Sequence, residues 1–221
     1  MARALCSAFR HRRSEQHTFY RFPEAKTFKN WAARVPDGFV FAIKASRYLT
    51  HYKRLREPEE PVERFMSRAA HLGTRLGAVL LQLPPDLACT PTDLDRTLRA
   101  FGRRVKVAVE IRHDSWWNDE VRTLLTERGA ALCLADRDSR VVTPIWRTAD
   151  WGYVRFHAGR ARPLPCYGRR ALTSWAERLA ALFGTHDDGY AFFNNDTRAC
   201  AVRDAATFKR LISWDAEHAD L

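Results

Sequence analysis

The sequence predicts an α/β protein of the β/α-barrel class, with six parallel strands and outer helices. Three observations carry that prediction. Six short apolar runs rich in Val, Phe, Tyr and Leu recur along the chain, each followed by a loop and then a stretch with helical spacing. No hairpin signal separates the runs, and no G-x-G-x-x-G or Walker-type turn follows any of them, which removes support for a nucleotide-binding open sheet. A polar residue closes each run. In a barrel such C-terminal strand ends converge on one mouth, where the active site lies.

The elements follow in order. A helix over 27–34 is expected to bury Phe28 and Trp31, ahead of strands at 39–44 (FVFAIK), 78–82 (AVLLQ), 105–110 (VKVAVE), 130–136 (AALCLAD), 153–157 (YVRFH) and 190–195 (YAFFNN). Such continuous apolar runs suit strands buried on both faces. Between them, Pro58, Glu59 and Glu60 start a helix that carries Val62, Phe65, Met66, Ala69 and Leu72 inward and stops at Gly73. Thr90, Pro91 and Asp93 start another, with Leu94, Leu98 and Phe101 on its buried stripe. Asn118 caps a third, which ends at Gly129. Leu172, Trp175, Leu179, Leu182 and Phe183 make the apolar face of a fourth, and Val202, Phe208, Leu211 and Ile212 that of a last.

A chain of 221 residues makes one domain, or two small ones at most. The expected organisation is a basic, poorly ordered arm over 1–16, one barrel domain over 17–215 and a tail over 216–221. The arm lacks the continuous apolar stretch of a secretory signal. No apolar run approaches the roughly 18–20 residues of a membrane-spanning helix. The net charge of +11 comes from 31 Arg and 6 Lys against 26 acidic residues. It reads either as attraction to polyanions such as nucleic acid or as solvated charge set by genome base composition. Cys6, Cys89, Cys133, Cys166 and Cys200 are odd in number, far apart and without a Cys-x-x-Cys pair. They argue for a reducing cytoplasm, and against a disulfide framework or a thiolate zinc site.

The strand ends supply the candidate site: Lys44, Gln82, Glu110 with Arg112 and His113, Asp136, Arg155 with His157, and Asn194 with Asn195. One polar residue after a strand is ordinary, but six at six strands are less so. Glu110, Asp136, His113 and His157 are the candidate acids and bases, and Lys44, Arg112 and Arg155 the candidate anion binders. Strand alternation sends Glu110 and Arg112 to one face, where they would pair. That pair is either a buried structural ion pair or an anion clamp beside a proton-transfer group. Trp116 and Trp117 either stack on a base or sugar or cover the helix behind them. Carboxylates and imidazoles at strand ends are also what a divalent-cation site would use, yet no H-E-x-x-H spacing marks one, so no metal ligand is assigned and any cofactor is left open. Basic loops with interleaved aromatics, at 44–56 and 155–170, suit phosphate-bearing ligands or form a solvated rim.

Seven segments carry a family resemblance: HTFYRFP (17–23), FVFAIKASRYLTH (39–51), LQLPP (81–85), VEIRHDSW (109–116), LCLAD (132–136), TADWGYVRFH (148–157) and FFNND (192–196). Together they closely resemble the domain of unknown function 72 (YecE-like) family. The resemblance implies a TIM-type barrel and no established activity. Carried over by motif, its polar positions fall on Tyr20, Arg21, Lys44, Thr50, His51, Gln82, Glu110, Arg112, His113, Asp136, Arg155, His157, Asn194 and Asn195. The departure is N-terminal: about 17 residues precede Thr18, and they resemble neither the Gly-rich strand nor the helix with which family members begin. The resemblance therefore implies a TIM-type β/α barrel incomplete at the N-terminus, with about six to seven parallel strands and outer helices, and such a barrel would leave unpaired strand edges. The expected function is an enzyme acting on a phosphate-bearing or nucleic-acid substrate at the barrel mouth. The alternatives are a non-catalytic binder of such ligands and a truncated, inactive remnant.

Overall fold

The computed structural model describes residues 22–184 and 188–218, the side chains only as far as 212. The arm expected over 1–16 and the strand fragment expected near 17–21, with Tyr20 and Arg21, lie outside the described residues. The described residues divide into two compact units, one up to residue 131 and the other from residue 132 onward.

The first unit alternates helix and strand: α1 (Ala25–Ala33), β1 (Phe41–Lys44), α2 (Glu59–Ala69), β2 (Leu76–Gln82), α3 (Pro91–Phe101), β3 (Lys106–Glu110) and α4 (Asp119–Arg128). β1, β2 and β3 pair in parallel and in chain order, with Ile43 beside Val79 and Val79 beside Val107. Sequential order with a helix in each crossover is the winding of a barrel, not of an open sheet whose order reverses. The helices start and stop where their punctuation places them. Pro91 opens α3 with Asp93 in its first turn, Leu94, Leu98 and Phe101 are buried, and Gly102 ends it. Each of those three side chains contributes about 2 kcal/mol of burial. Asn118 caps α4 by accepting the Val121 N–H at 3.0 Å. Phe65 of α2 stacks on Phe22 at 4.7 Å and meets the ring of Phe101 edge-on at 6.1 Å.

The second unit contains β4 (Ala131–Arg137), β5 (Arg140–Val141), β6 (Gly152–Phe156), α5 (Arg169–Phe183), β7 (Gly189–Phe193) and α6 (Cys200–His218). β4, β6 and β7 pair in parallel. β5 folds back antiparallel on β4 through Asp138 and Ser139, both at positive φ. This is the two-residue hairpin geometry of a type I′ turn. The sequence reading expected no hairpin, because the turn lacks the glycine that usually announces one.

Two further expectations are corrected. Val202, expected on the apolar face of the last helix, is 51% exposed, whereas Phe208 is buried as expected and shares its stripe with Ala201, Asp204 and Ala205. A polar residue on that stripe misled the phase. Cys166 and Cys200 are joined by a disulfide across 34 residues, with Cα atoms 4.8 Å apart. The odd number and wide spacing of the cysteines argue against a disulfide framework, but spacing says nothing about two segments that the fold packs together. Cys133 is buried in β4 as expected.

The fold class is therefore that read from the sequence: parallel α/β of the TIM type, with six parallel strands among the described residues where a complete barrel has eight. No helix of the described residues is long and apolar enough to cross a membrane.

Candidate functional site

In the first unit, the C-terminal ends of β1, β2 and β3 bring Lys44, Gln82, Glu110 and Arg112 together. Gln82 lies beside Glu110 in register, and Lys44 lies beside Leu80, two residues before Gln82 on the same face. The ladder continues past the strands, since the Ala45 N–H donates to Leu80 O and the Leu83 N–H to Glu110 O, both at 2.9 Å. Those bonds fix the directions of the side chains that matter. Ile111 turns into the core, and alternation returns Arg112 to the face of Glu110.

The polar contacts converge on two oxygens. Lys44 Nζ donates to Gln82 Oε1 at 2.9 Å, and Arg112 Nη2 donates to the same oxygen at 3.2 Å. Arg112 also donates from Nε and Nη2 to Glu110 Oε1, at 2.9 and 2.8 Å. The pair expected from alternation is present, with a buried carboxylate, 2% exposed, and a guanidinium that stays partly exposed. Two cations share a neutral amide oxygen here, and a single buried carboxylate orients the guanidinium.

His51 stands on the helical turn Tyr48–Tyr52 that follows β1. Its Nδ1 lies 2.8 Å from Thr50 Oγ1, and that hydroxyl lies 3.3 Å from Ser46 O. With the hydroxyl hydrogen on Ser46 O, the imidazole donates from Nδ1 and keeps Nε2 as an acceptor. Burial, then the charges of Lys44, Arg47 and Arg112, lower its pKa from the ordinary 6.5 to about 4, against a small opposing influence of Asp86. At neutral pH the ring is uncharged in a positive field. Because the folded value lies below the unfolded one, the associated stability is full above pH 6.5 and is lost as the pH falls toward 4. Partial exposure screens the effect, leaving about 1 kcal/mol. His51→Gln is expected to flatten the pH dependence of stability across that window, and the parent imidazole should titrate near 4 by NMR. An imidazole titrating at its ordinary value would refute both the burial of the ring and the positive field around it.

Two other candidates of this unit are placed differently. His113 Nδ1 accepts the Ser115 N–H at 3.2 Å and lies 2.8 Å from Ser115 Oγ, capping the short turn Asp114–Trp116. Trp116 was weighed as a stacking platform or as cover for the helix behind it. It is fully buried, with Nε1 donating to Leu87 O at 2.8 Å, so it presents no face to a ligand and packs as cover.

In the second unit the strand-end residues divide between the two faces of the sheet. Arg155 is buried and donates from Nη2 and Nε to the Asn194 side-chain oxygen, at 2.8 and 3.2 Å. It lies beside Phe192 in register, on the face where Phe192 stacks with Tyr153. Asp136 lies beside Phe156 on the opposite face, under α5. Its two oxygens accept from Tyr167 OH at 2.8 Å and Trp175 Nε1 at 2.7 Å. Burial nevertheless raises its pKa, those two donors opposing the shift. Asn195 donates from Nδ2 to Asp204 Oδ2 at 2.7 Å and to Pro165 O at 3.0 Å. Asp204 also accepts the Tyr167 N–H at 2.8 Å, and burial raises its pKa. The His157 N–H donates to Asp136 O at 2.9 Å. Asp136 and Asn195 thus anchor the 160s loop and the helices, while Arg155 and Asn194 occupy the other face. Tyr167, Trp175 and Asp204 were not recognised as partners. The signal that could have found Asp204 is an acid on a helix stripe otherwise made of Ala201, Ala205 and Phe208.

Among the described residues, no group of three or more His, Cys, Asp or Glu side chains is placed to hold a metal ion.

Sequential parallel strands, helical crossovers and a charged cluster at the strand ends define a TIM-type α/β protein whose strand termini carry its polar chemistry. Residues 16–220 match the family model described as "Protein of unknown function DUF72", and the chain belongs to that family. It is 28% identical over 127 residues to the UPF0759 protein YecE of Escherichia coli K12, a match covering 54% of this chain and 46% of the relative. The chain thus spans about half the length of that relative. It is 24% identical over 236 residues to the UPF0759 protein YunF of Bacillus subtilis, covering 92% of this chain and 83% of the relative. Among solved structures, a DUF72 family protein of Enterococcus faecalis V583 superposes with a TM-score of 0.76 at 19% identity, over 90% of this chain and 83% of that one. One from Thermotoga maritima gives 0.73 at 25% identity, over 89% and 82%. The family is one of unknown function.

Proposed function

We propose that the chain is an enzyme that binds a phosphate-bearing substrate at the C-terminal ends of β1, β2 and β3 and acts on it by proton transfer through Glu110. The observation that supports this most is the convergence of Lys44 and Arg112 on the one oxygen of Gln82. The neutral Gln82 amide holds the two cations side by side, with Arg112 also paired to Glu110, and a multiply charged oxyanion would engage both. Lys44 acts as a point charge and Arg112 as a planar donor, held in plane by Glu110. Arg112 is bonded to the Glu110 carboxylate, so an anion that draws the guanidinium away frees that carboxylate to take up a proton. Neutral His51 supplies a hydrogen bond without a competing charge. Arg155 and Asn194 stand as a second candidate anion contact. The reading does not depend on a compartment, and the Cys166–Cys200 bond removes the cysteine argument for a reducing cytoplasm.

Calorimetric titration with inorganic pyrophosphate tests the binding step. Lys44→Ala is expected to weaken binding by about 10- to 100-fold, the worth of one hydrogen bond to a charged group. Affinity should also fall steeply with salt. No binding at low salt, or an unchanged affinity in the variant, would sink the proposal. A panel of phosphate esters tests turnover, which Glu110→Gln should abolish without unfolding the chain. Salt-sensitive binding with no product from any ester would mark a binding protein instead.

A further inference from the structure

Tyr48 and Tyr52 lie one turn apart on the helical turn that leaves β1, and they are 42% and 67% exposed. The other large apolar side chains exposed among the described residues are aliphatic and scattered: Val142, Leu164 and Val202. Each tyrosine carries a guanidinium against its ring: Arg64 Cζ lies 5.2 Å from the Tyr48 centroid and Arg47 Cζ 5.2 Å from that of Tyr52. The turn has π-helical geometry, and the backbone just after it holds Arg54, Leu55 and Glu57 at positive φ. Such irregular, strained backbone concentrates at functional sites. The same turn carries His51, whose pKa is lowered first by burial and then by the positive charges of Lys44, Arg47 and Arg112.

We infer that this turn is a base-stacking platform and that the ligand of the site is a single-stranded nucleic acid. The inference rests on the phosphate site proposed above and assigns its substrate class. An exposed aromatic ring backed by a guanidinium offers a flat face and a positive charge together, which is what a base and its adjoining phosphate require. Two rings separated by one helical turn serve successive bases, whereas a mononucleotide would use one. A duplex hides its base faces within its own stack and presents only phosphates. The bases lie on Tyr48 and Tyr52 while the backbone phosphates meet the cations around Lys44 and Arg112.

Fluorescence anisotropy with a labelled oligothymidylate tests the inference, with an oligouridylate, a duplex of equal length and inorganic pyrophosphate as further arms. Tyr48→Ala and Tyr52→Ala are each expected to weaken oligothymidylate binding by about 5- to 100-fold and to leave pyrophosphate binding unchanged. Tyr48→Phe and Tyr52→Phe should bind like the parent, because stacking uses the ring and not the hydroxyl. Comparison of the thymidylate and uridylate arms tells DNA from RNA. A duplex bound as tightly as the single strand, or alanine variants that bind the oligonucleotide normally, would overturn the platform. Pyrophosphate bound without the oligonucleotide would overturn the platform and leave the phosphate site standing. Failure of both ligands would overturn both.

Discussion

Gly159→Ala is expected to destabilise the chain by about 3 kcal/mol or more, a loss of roughly 6–12 °C in Tm for a protein of this size. A Cβ at Gly159 would lie 2.1 Å from Cys166 O, 2.4 Å from Cys166 C and 2.6 Å from Tyr167 N. All three are backbone atoms, so no side-chain rotation relieves the overlap. The segment cannot simply slide apart either. Gly159 N–H donates to Pro165 O at 2.8 Å and Ala161 N–H to Cys166 O at 2.9 Å, while Cys166 is tied to Cys200. The strand of loop that the methyl would displace also carries Tyr167, whose hydroxyl holds Asp136. Denaturation followed by circular dichroism measures the loss. Gly168→Ala is the control: its Cβ would meet only the Ala161 Cβ, at 3.4 Å, and it should cost less than about 1 kcal/mol. A Gly159→Ala chain as stable as the parent would show that the loop does not pack against its own backbone.

Asp136→Ala is expected to cost about 3–5 kcal/mol. Two of the hydrogen bonds that the Asp136 carboxylate accepts come from Tyr167 OH and Trp175 Nε1, both donors in a buried setting. Each bond to a charged acceptor is worth about 1.5–3 kcal/mol, and removing the acceptor strands both donors away from water. Asp136→Asn keeps one acceptor but points an NH2 group at the other donor, so it should fall between the parent and the alanine variant. The pH dependence has the opposite sign to that of His51. Burial raises the folded pKa of Asp136 above its unfolded value. The pH-linked part of its contribution is therefore greatest below the ordinary carboxylate value and is lost as the pH rises through the elevated folded one, while the hydrogen bonds to the ionised group remain. Tyr167→Phe removes one of the donors that oppose the shift, and should move the Asp136 pKa further up as read by carboxyl-carbon NMR. A variant in which that value falls would overturn the assignment of Tyr167 as a donor to the carboxylate.

Most of the architecture was legible because it depends on short-range pattern. The run Ala78–Gln82 is apolar at every position until its last, and it lies within β2, buried throughout. Pro91, Asn118 and Gly129 punctuate helices through their own backbone chemistry, and they stand where they were expected to stand. The Glu110–Arg112 pair followed from strand alternation alone. What failed did so for nameable reasons. The Asp138–Ser139 turn uses positive φ at residues other than glycine, so its hairpin left no mark in the composition. Val202 looks like core by residue type, but a helix stripe is set by its neighbours, and the stripe here includes Asp204. Trp116 could be read as platform or cover until its surroundings were known.

The amino-acid order by itself determined the β/α repeat, the family, and the identity of the polar residues at the strand ends. Backbone hydrogen bonding and side-chain period are local properties, and they survive in any reading of adjacent residues. Only the tertiary structure decided which of those residues face one another. It set Lys44 and Arg112 on one oxygen, put Asp136 under α5 instead of beside Arg155, and joined Cys166 to Cys200. Each of those outcomes depends on a distance between segments tens of residues apart, or on which sheet face a register places a side chain. A one-residue change in strand register reverses that choice of face without altering the composition of the strand.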